Sequence, residues 1–348
     1  MKKIFFCLIS VAMLGYTSCN KEKTESSLSY GLPGTSLDDM AIDNNHVFYF
    51  VTSEIDKDLI ENWPSIYSFL PYRLYLSKKS DETGKTEILD DRYAGGKLYF
   101  DKNNHLLTFD SYAIYRIDGN SRHVIFELPD KKTDLAFIAV DNDNNIWAGG
   151  FQTGLYKIDN QLDIIHYHEN NSELPTNYVK DIHIDKNNDI WIVTGWYGTK
   201  QGLIKISNGQ WFVYDLNFSN PSITSLITDK NGYLWIGTGW DDENQTLKRF
   251  DGASLETVHP RNEKNEIVEG TVCYLQSDGS KLYVMIAKSK DNISYSYVLL
   301  TFNGINWNKI YEIPEDNWIG NLIVDDYRQV VWVRTANKGI FKIPFHVD

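Results

Sequence analysis

The stretch Leu226-Ile-Thr-Asp229-Lys-Asn-Gly-Tyr-Leu-Trp235-Ile-Gly-Thr238 decides how this chain folds. Alternating apolar residues lead to an aspartate, a short polar run follows, and an aromatic opens a series of small and apolar positions. Period-two alternation marks a half-buried strand, and Asp-Lys-Asn-Gly is turn chemistry, so the unit reads strand, tight turn, strand. The same unit recurs as Ile138-Ala-Val-Asp141-Asn-Asp-Asn-Asn-Ile-Trp147 and as His183-Ile-Asp185-Lys-Asn-Asn-Asp-Ile-Trp191. Looser copies begin at Ala41, Tyr99, Leu275 and Ile323. Their anchor positions fall at 43, 101, 141, 185, 229, 277 and 325.

Each interval holds more than two strands. In the fourth unit the segments Val179–Asp185, Asp189–Gly195, Gly202–Ser207 and Gln210–Leu216 all alternate, with Gly, Asn and Asp between them. Helical periodicity of any length is missing. Four short strands repeated in tandem at this period are the sequence mark of a propeller blade. Seven units therefore predict an all-β, seven-bladed β-propeller of four-stranded antiparallel blades over residues 28–348. The last unit ends after its third strand, Phe341-Lys-Ile-Pro344. Ser27-Leu-Ser-Tyr30 resembles the fourth strands elsewhere and is expected to complete that blade, closing the ring and covering a sheet edge.

The motifs Gly31-Leu-Pro33, Glu173-Leu-Pro175-Thr-Asn177 and Leu234-Trp-Ile-Gly-Thr238 resemble the two-component regulator propeller repeat. The resemblance runs from about residue 30 onward and is tightest in the middle three blades. Its best-known members are periplasmic sensor halves of hybrid sensor kinases. It implies a propeller that recognises a ligand. No membrane helix, kinase or receiver follows Asp348 in the sequence, so the expectation is a stand-alone propeller that does not signal by its own catalysis.

The first residues give an address. Lys2 and Lys3, the apolar run Ile4 to Leu14 and the small or polar residues up to Cys19 read as a signal peptide over 1–18. Cys19 is placed as in the lipobox of bacterial lipoproteins, whose cysteine is diacylated; the alternative is a secreted protein in which Cys19 is incidental. Residues 19–27 would be a tether. Their charged run resembles a surface-export signal of some Gram-negative lipoproteins. Outer-membrane anchoring, facing the periplasm or the cell surface, is the expected localisation.

Charge and cysteines exclude several classes. With 34 Lys and Arg against 47 Asp and Glu, the 348-residue chain carries a formal charge of −13 and no basic block, which argues against a nucleic-acid partner. Three cysteines form neither a disulfide scaffold nor a four-thiolate zinc site. Cys273, in an apolar strand pattern, reads as packing.

With the four strands of each blade lettered A to D in chain order, antiparallel pairing puts the A–B and C–D turns on one face and the B–C and D-to-A connections on the other. Asp-x-Asp-x-Asn in the A–B turns looks like the opening of a calcium loop. The twelfth position, which needs a bidentate Glu, holds Gln152, Trp196 or Trp240. No metal and no cofactor are expected, and the turn aspartates read as binding their own backbone. His166 and His168 alternate on one strand but lack a third ligand.

The opposite face is richer in chemistry. It carries Trp63 in a long blade-one insertion, Trp196 and Tyr197 between glycines, Trp240-Asp-Asp-Glu243 in blade five, and Trp318 in a D-to-A loop. Such aromatics would offer stacking surfaces beside the acceptors Asp241, Asp242 and Glu243, which suits a glycan or a protein ligand without catalysis. Two alternatives stay open: a polysaccharide lyase or hydrolase using acids at the propeller mouth, and an envelope assembly scaffold.

Overall fold

The computed structural model describes residues 32, 36–56, 72–80, 84–91, 93, 96–130, 132–195, 202–215, 222–239, 247–289, 295–313, 318–335 and 339–345. Among them, seven sheets follow one another along the chain, six of four strands and the last of three, with strands paired in sequence order. Blades one to seven cover 36–90, 98–127, 134–167, 179–214, 222–258, 271–313 and 319–344. In blade four the strands are Val179–Ile184, Ile190–Thr194, Gly202–Ser207 and Gln210–Tyr214; the third has the expected bounds and the others are a residue or two shorter than the alternation suggests. The closing strand expected at Ser27–Tyr30, the lipidation site Cys19 and the rest of 1–31 lie outside the described residues.

One local design explains the repeat. In blades one to five the turn aspartate accepts the amides two and four residues on through Oδ1, as Asp185 does from Asn187 (2.8 Å) and Asp189 (3.0 Å), while in blade seven Asp325 accepts the amide three on, Arg328 (3.0 Å). The aspartate's Oδ2 accepts the indole N–H of the B-strand tryptophan: Trp147 to Asp141 at 2.8 Å, Trp191 to Asp185 at 3.1 Å, Trp235 to Asp229 at 2.9 Å and Trp332 to Asp325 at 3.0 Å. The Asp-rich clusters are thus turn staples, as their sequence implies. A third member of the unit is the cation on the C strand opposite each tryptophan. Lys157, Lys205, Arg249 and Lys342 lie 5.2–5.7 Å from the Trp147, Trp191, Trp235 and Trp332 rings.

The blade-six anchor needs correcting. Asp278, not Ser277, accepts the turn amides of Ser280 (2.7 Å) and Lys281 (2.7 Å) and the hydroxyl of Tyr283 (2.9 Å). Tyrosine reaches farther than indole N–H, so the aromatic stands one residue nearer the aspartate there and shifts the apparent register.

The tryptophans are core between blades. Trp147 packs with Val179 and Ile182 of blade four, Trp191 with Leu226 and Phe250 of blade five, and Trp235 with Val272 and Leu275 of blade six. In blades three and five the glycine two positions later makes room for this contact. A Cβ on Gly149 would stand 2.7 Å from Val179, and one on Gly237 would stand 2.8 Å from Val272. Gly237→Ala is therefore expected to cost about 1–3 kcal/mol by overpacking. Chemical denaturation of G237A beside the double variant G237A/V272A checks this: if the clash is the cause, the smaller residue at 272 recovers part of the loss.

The wheel is closed. Leu37, Met40, Phe48 and Phe50 of blade one share a buried cluster with Val330 and Trp332 of blade seven. Across the same seam Arg334 donates to the Leu37 carbonyl (2.6 Å) and Asn321 to Asp39 (2.9 Å) and to the Met40 carbonyl (3.1 Å). Arg328 donates to the His46 carbonyl (2.8 Å).

Candidate functional site

Antiparallel pairing within each blade puts the described strand ends that flank the B–C and D-to-A connections on one side of the wheel. Of the aromatics expected there, Trp318 is described: it is 57% exposed and stands immediately before the inner strand Ile319–Asp325. Its ring centroid is 5.6 Å from that of Tyr295 at 54°, and Tyr295 opens the third strand of blade six. Below the pair, the Tyr274 hydroxyl reaches the Ile319 carbonyl at 3.4 Å. Tyr297 is buried, and that burial holds its phenol well above its ordinary pKa. Trp63, Trp196, Tyr197, Trp240, Asp241, Asp242 and Glu243 lie outside the described residues.

The channel wall is the second zone. In six blades the inner strand bulges near its start, and the residue just after the bulge stands four before the turn aspartate: Asp39, Phe137, Asp181, Ser225, Tyr274 and Asn321. Lys97 holds the same offset in blade two, immediately before a strand that pairs without a register shift. Where that side chain accepts hydrogen bonds, it caps inner-edge amides. Asp39 accepts Leu98 N–H of blade two (2.8 Å), Ser225 accepts Leu275 N–H of blade six (3.2 Å), and Asp181 and Asn321 accept their own next amides, Ile182 (2.9 Å) and Leu322 (2.7 Å).

These carboxylates are electrostatically unusual. Burial raises Asp181 to about 6 despite the amide of Ile182 and the charge of Lys97. Burial also raises Asp39, against the Leu98 amide, Arg334 and Lys97. Asp38, the bulge residue, is solvent-exposed but ringed by protein, and that crowding lifts it against Ser53 and Arg334. His183, two residues beyond Asp181, is pushed down to about 4 by burial. Its Nε2 sits 3.1 Å from the Thr228 amide, so the ring is neutral and accepts there. Among the described residues no three His, Cys, Asp or Glu gather as a metal site.

The other sequence candidates are structural. His166 stacks on Tyr156 (centroids 4.0 Å) with Nε2 2.8 Å from the Thr153 carbonyl. Cys273 is half-buried in the blade-six bulge with Sγ 3.6 Å from the Thr271 carbonyl. Sequence reasoning missed Lys97, Asp39 and Asp181. The available signal was their shared offset from the turn aspartate, which alternation alone does not single out.

This geometry defines a seven-bladed propeller whose inner strands carry charged and polar residues, with the exposed Trp318 beside Tyr295 at one end. Residues 217–240 match the model of the family described as two component regulator propeller, so the chain carries that repeat. Solved structures of similar fold include the extracellular domain of BT4673 from B. thetaiotaomicron, described both as a one-component and as a hybrid two-component system, at TM-score 0.59 and 15% identity, covering 89% of this chain and 39% of that one. Virginiamycin B lyase from Staphylococcus aureus, as a catalytically inactive variant with quinupristin, is similar at TM-score 0.61 and 12% identity, with 89% and 94% covered. PorZ of Porphyromonas gingivalis, a bacterial surface component of the type-IX secretion system, is similar at TM-score 0.58 and 12% identity, with 87% and 46% covered. The chain spans about two-fifths of the length of the BT4673 domain. No curated protein matches the sequence.

Proposed function

We propose that this chain is a non-catalytic recognition module outside the cytoplasm, held to the outer membrane through Cys19, and that it takes a glycan at the B–C/D-to-A rim. The observation that carries this reading is Trp318, whose exposed indole rests against Tyr295 at the rim rather than in a blade core. An exposed aromatic face beside polar loops suits the apolar face of a sugar ring, with hydroxyls left for the neighbouring side chains. Trp63, Trp196, Tyr197, Trp240, Asp241, Asp242 and Glu243 are proposed to complete the site. The commitment of Asp39 and Asp181 to strand amides supports recognition over catalysis. The extracellular and surface settings of the BT4673 domain and PorZ agree with the address read from residues 1–27.

A glycan array, with Trp318→Ala as control, tests the proposal. Trp318 is not part of a blade core, so the variant should keep its melting temperature and lose about tenfold in glycan capture, the equivalent of 1.4 kcal/mol. Equal capture by both proteins would remove Trp318 from the site. Capture of an envelope protein and no glycan would replace the ligand class, and release of product from a polysaccharide panel would turn the reading to an enzyme.

A further inference from the structure

The ring of capped inner-edge amides has one gap. Blade three has the same strand register as blade four: Ile138 pairs with Ala148 as Ile182 pairs with Ile192. The amide of Ile138 thus stands where Ile182, Leu98, Leu275 and Leu322 meet a side-chain oxygen. At Ile138 neither candidate can accept. Its own predecessor is Phe137, and the corresponding residue of the preceding blade is Lys97, whose ammonium stands 5.7 Å from the centre of the Phe137 ring. Among the described residues Ile138 N–H has no side-chain acceptor, and Lys97 makes neither a hydrogen bond nor an ion pair, though it is exposed. Asp39 and Asp181, the carboxylates whose ionised forms Lys97 favours, are already bonded to Leu98 and Ile182.

We propose that this gap is a binding site for a single carboxylate group, presented to the channel by a ligand. One carboxylate oxygen takes the place that an aspartate oxygen holds at the equivalent seams and accepts Ile138 N–H. The other accepts from Lys97 Nζ, and the Phe137 ring forms the apolar side of the seat. An amide and an ammonium held on adjoining blades, one at Ile138 and one over the Phe137 ring just before it, neither with an acceptor among the described residues, fit an oxyanion, because bonds to charged partners are roughly twice as strong as neutral ones. The neighbouring acids restrict the ligand to one negative group. This site is separate from the rim and does not depend on the glycan reading.

The test is titration of the intact chain, 15N-labelled at isoleucine, with sodium acetate against sodium chloride of equal ionic strength. Acetate should move the Ile138 amide resonance downfield and saturate in the millimolar range, while chloride leaves it in place. Lys97→Gln should weaken the response at least fivefold. Lys97→Asp should supply the missing acceptor from within the chain, shift the Ile138 amide without acetate and abolish the acetate response, and its folding is verified by the unchanged remaining isoleucine resonances. An unresponsive Ile138 amide, or an equal response in K97Q, overturns the site. Inorganic phosphate moving the amide as strongly as acetate overturns the carboxylate assignment. A peptide C-terminus and a uronic acid, titrated in parallel arms, identify which source of carboxylate the channel admits.

Discussion

Arg334→Ala is expected to cost about 3 kcal/mol of stability and to loosen the propeller at one seam, between blades seven and one. The side chain is only 9% exposed and gives its Nη1 proton to the Leu37 carbonyl at 2.6 Å. It also supplies the countercharge for Asp38 and Asp39, both already lifted by burial. Alanine leaves a buried carbonyl without its donor, two crowded carboxylates without their cation, and a cavity in the space the guanidinium filled. Gly320 should behave alike, because a Cβ there would overlap that guanidinium and force it out of the seam. The other polar links, Asn321 to Asp39 and Met40 and Arg328 to His46, are part-buried, and the apolar cluster of Phe48, Phe50, Val330 and Trp332 offers neither a donor to Leu37 nor a charge to the two acids, so none of them replaces it. Urea unfolding gives the magnitude. Hydrogen exchange gives the place: amides of blades one and seven should exchange faster in R334A while blades three to five stay protected. Equal acceleration around the wheel would mean that Arg334 supports global stability without latching the ends.

The parts of this fold legible in the sequence are those whose partners are close in sequence. Asp229, the amides two and four residues on and Trp235 span six positions, so one staple writes one visible motif, and three clear copies with four looser ones set the count of blades. Gly237 was visible as a small residue, but its reason, the approach of Val272 from the next blade, was not. Lys157, Lys205 and Lys342 sit opposite their tryptophans on a different strand, and the loop between strands varies in length, so no fixed spacing reveals the pairing. The channel ring is harder still. Its positions hold Asp, Lys, Phe, Asp, Ser, Tyr and Asn, chosen by what the adjoining inner strand needs, and Asn321 meets Asp39 across 282 residues. The Ser277 anchor failed for a definable reason: hydropathy fixed the strand but not which of Ser277 and Asp278 bonds the turn. The rim aromatics were named from composition and loop position, and of them Trp318 stands on the described surface.

Blade four carries two half-buried titrations of opposite sign on one strand, and separating them should produce a marked pH effect on stability. Asp181 has its pKa raised from 3.8 to about 6, so its ionised form is disfavoured in the fold. Its contribution to stability is greatest at low pH and is lost as pH rises from about 4 through 6, since the folded state binds more protons in that window. His183 is lowered from 6.5 to about 4, so the fold prefers the neutral ring. Its contribution is full above 6.5 and is lost as pH falls toward 4, where the unfolded chain binds the extra proton. Each slope amounts to at most about 3 kcal/mol at 1.36 kcal/mol per pKa step, and partial solvent access reduces both. Acting together between pH 4 and 6.5 they nearly cancel, so this pair adds little slope to the wild type. Asp181→Asn keeps one oxygen for the strand amides, removes the buried charge and should be at least as stable as the wild type at pH 7. It should then lose stability more steeply than the wild type on acidification from 6.5 to 4, by about 2 kcal/mol over that range. His183→Gln keeps an acceptor for the Thr228 amide and should show the reverse, holding or gaining stability over the same range. Melting temperatures of the three proteins across pH 4 to 7 decide it. Parallel curves would show that neither group titrates differently on folding, and that the neutral ring and the raised carboxyl assigned to blade four are wrong.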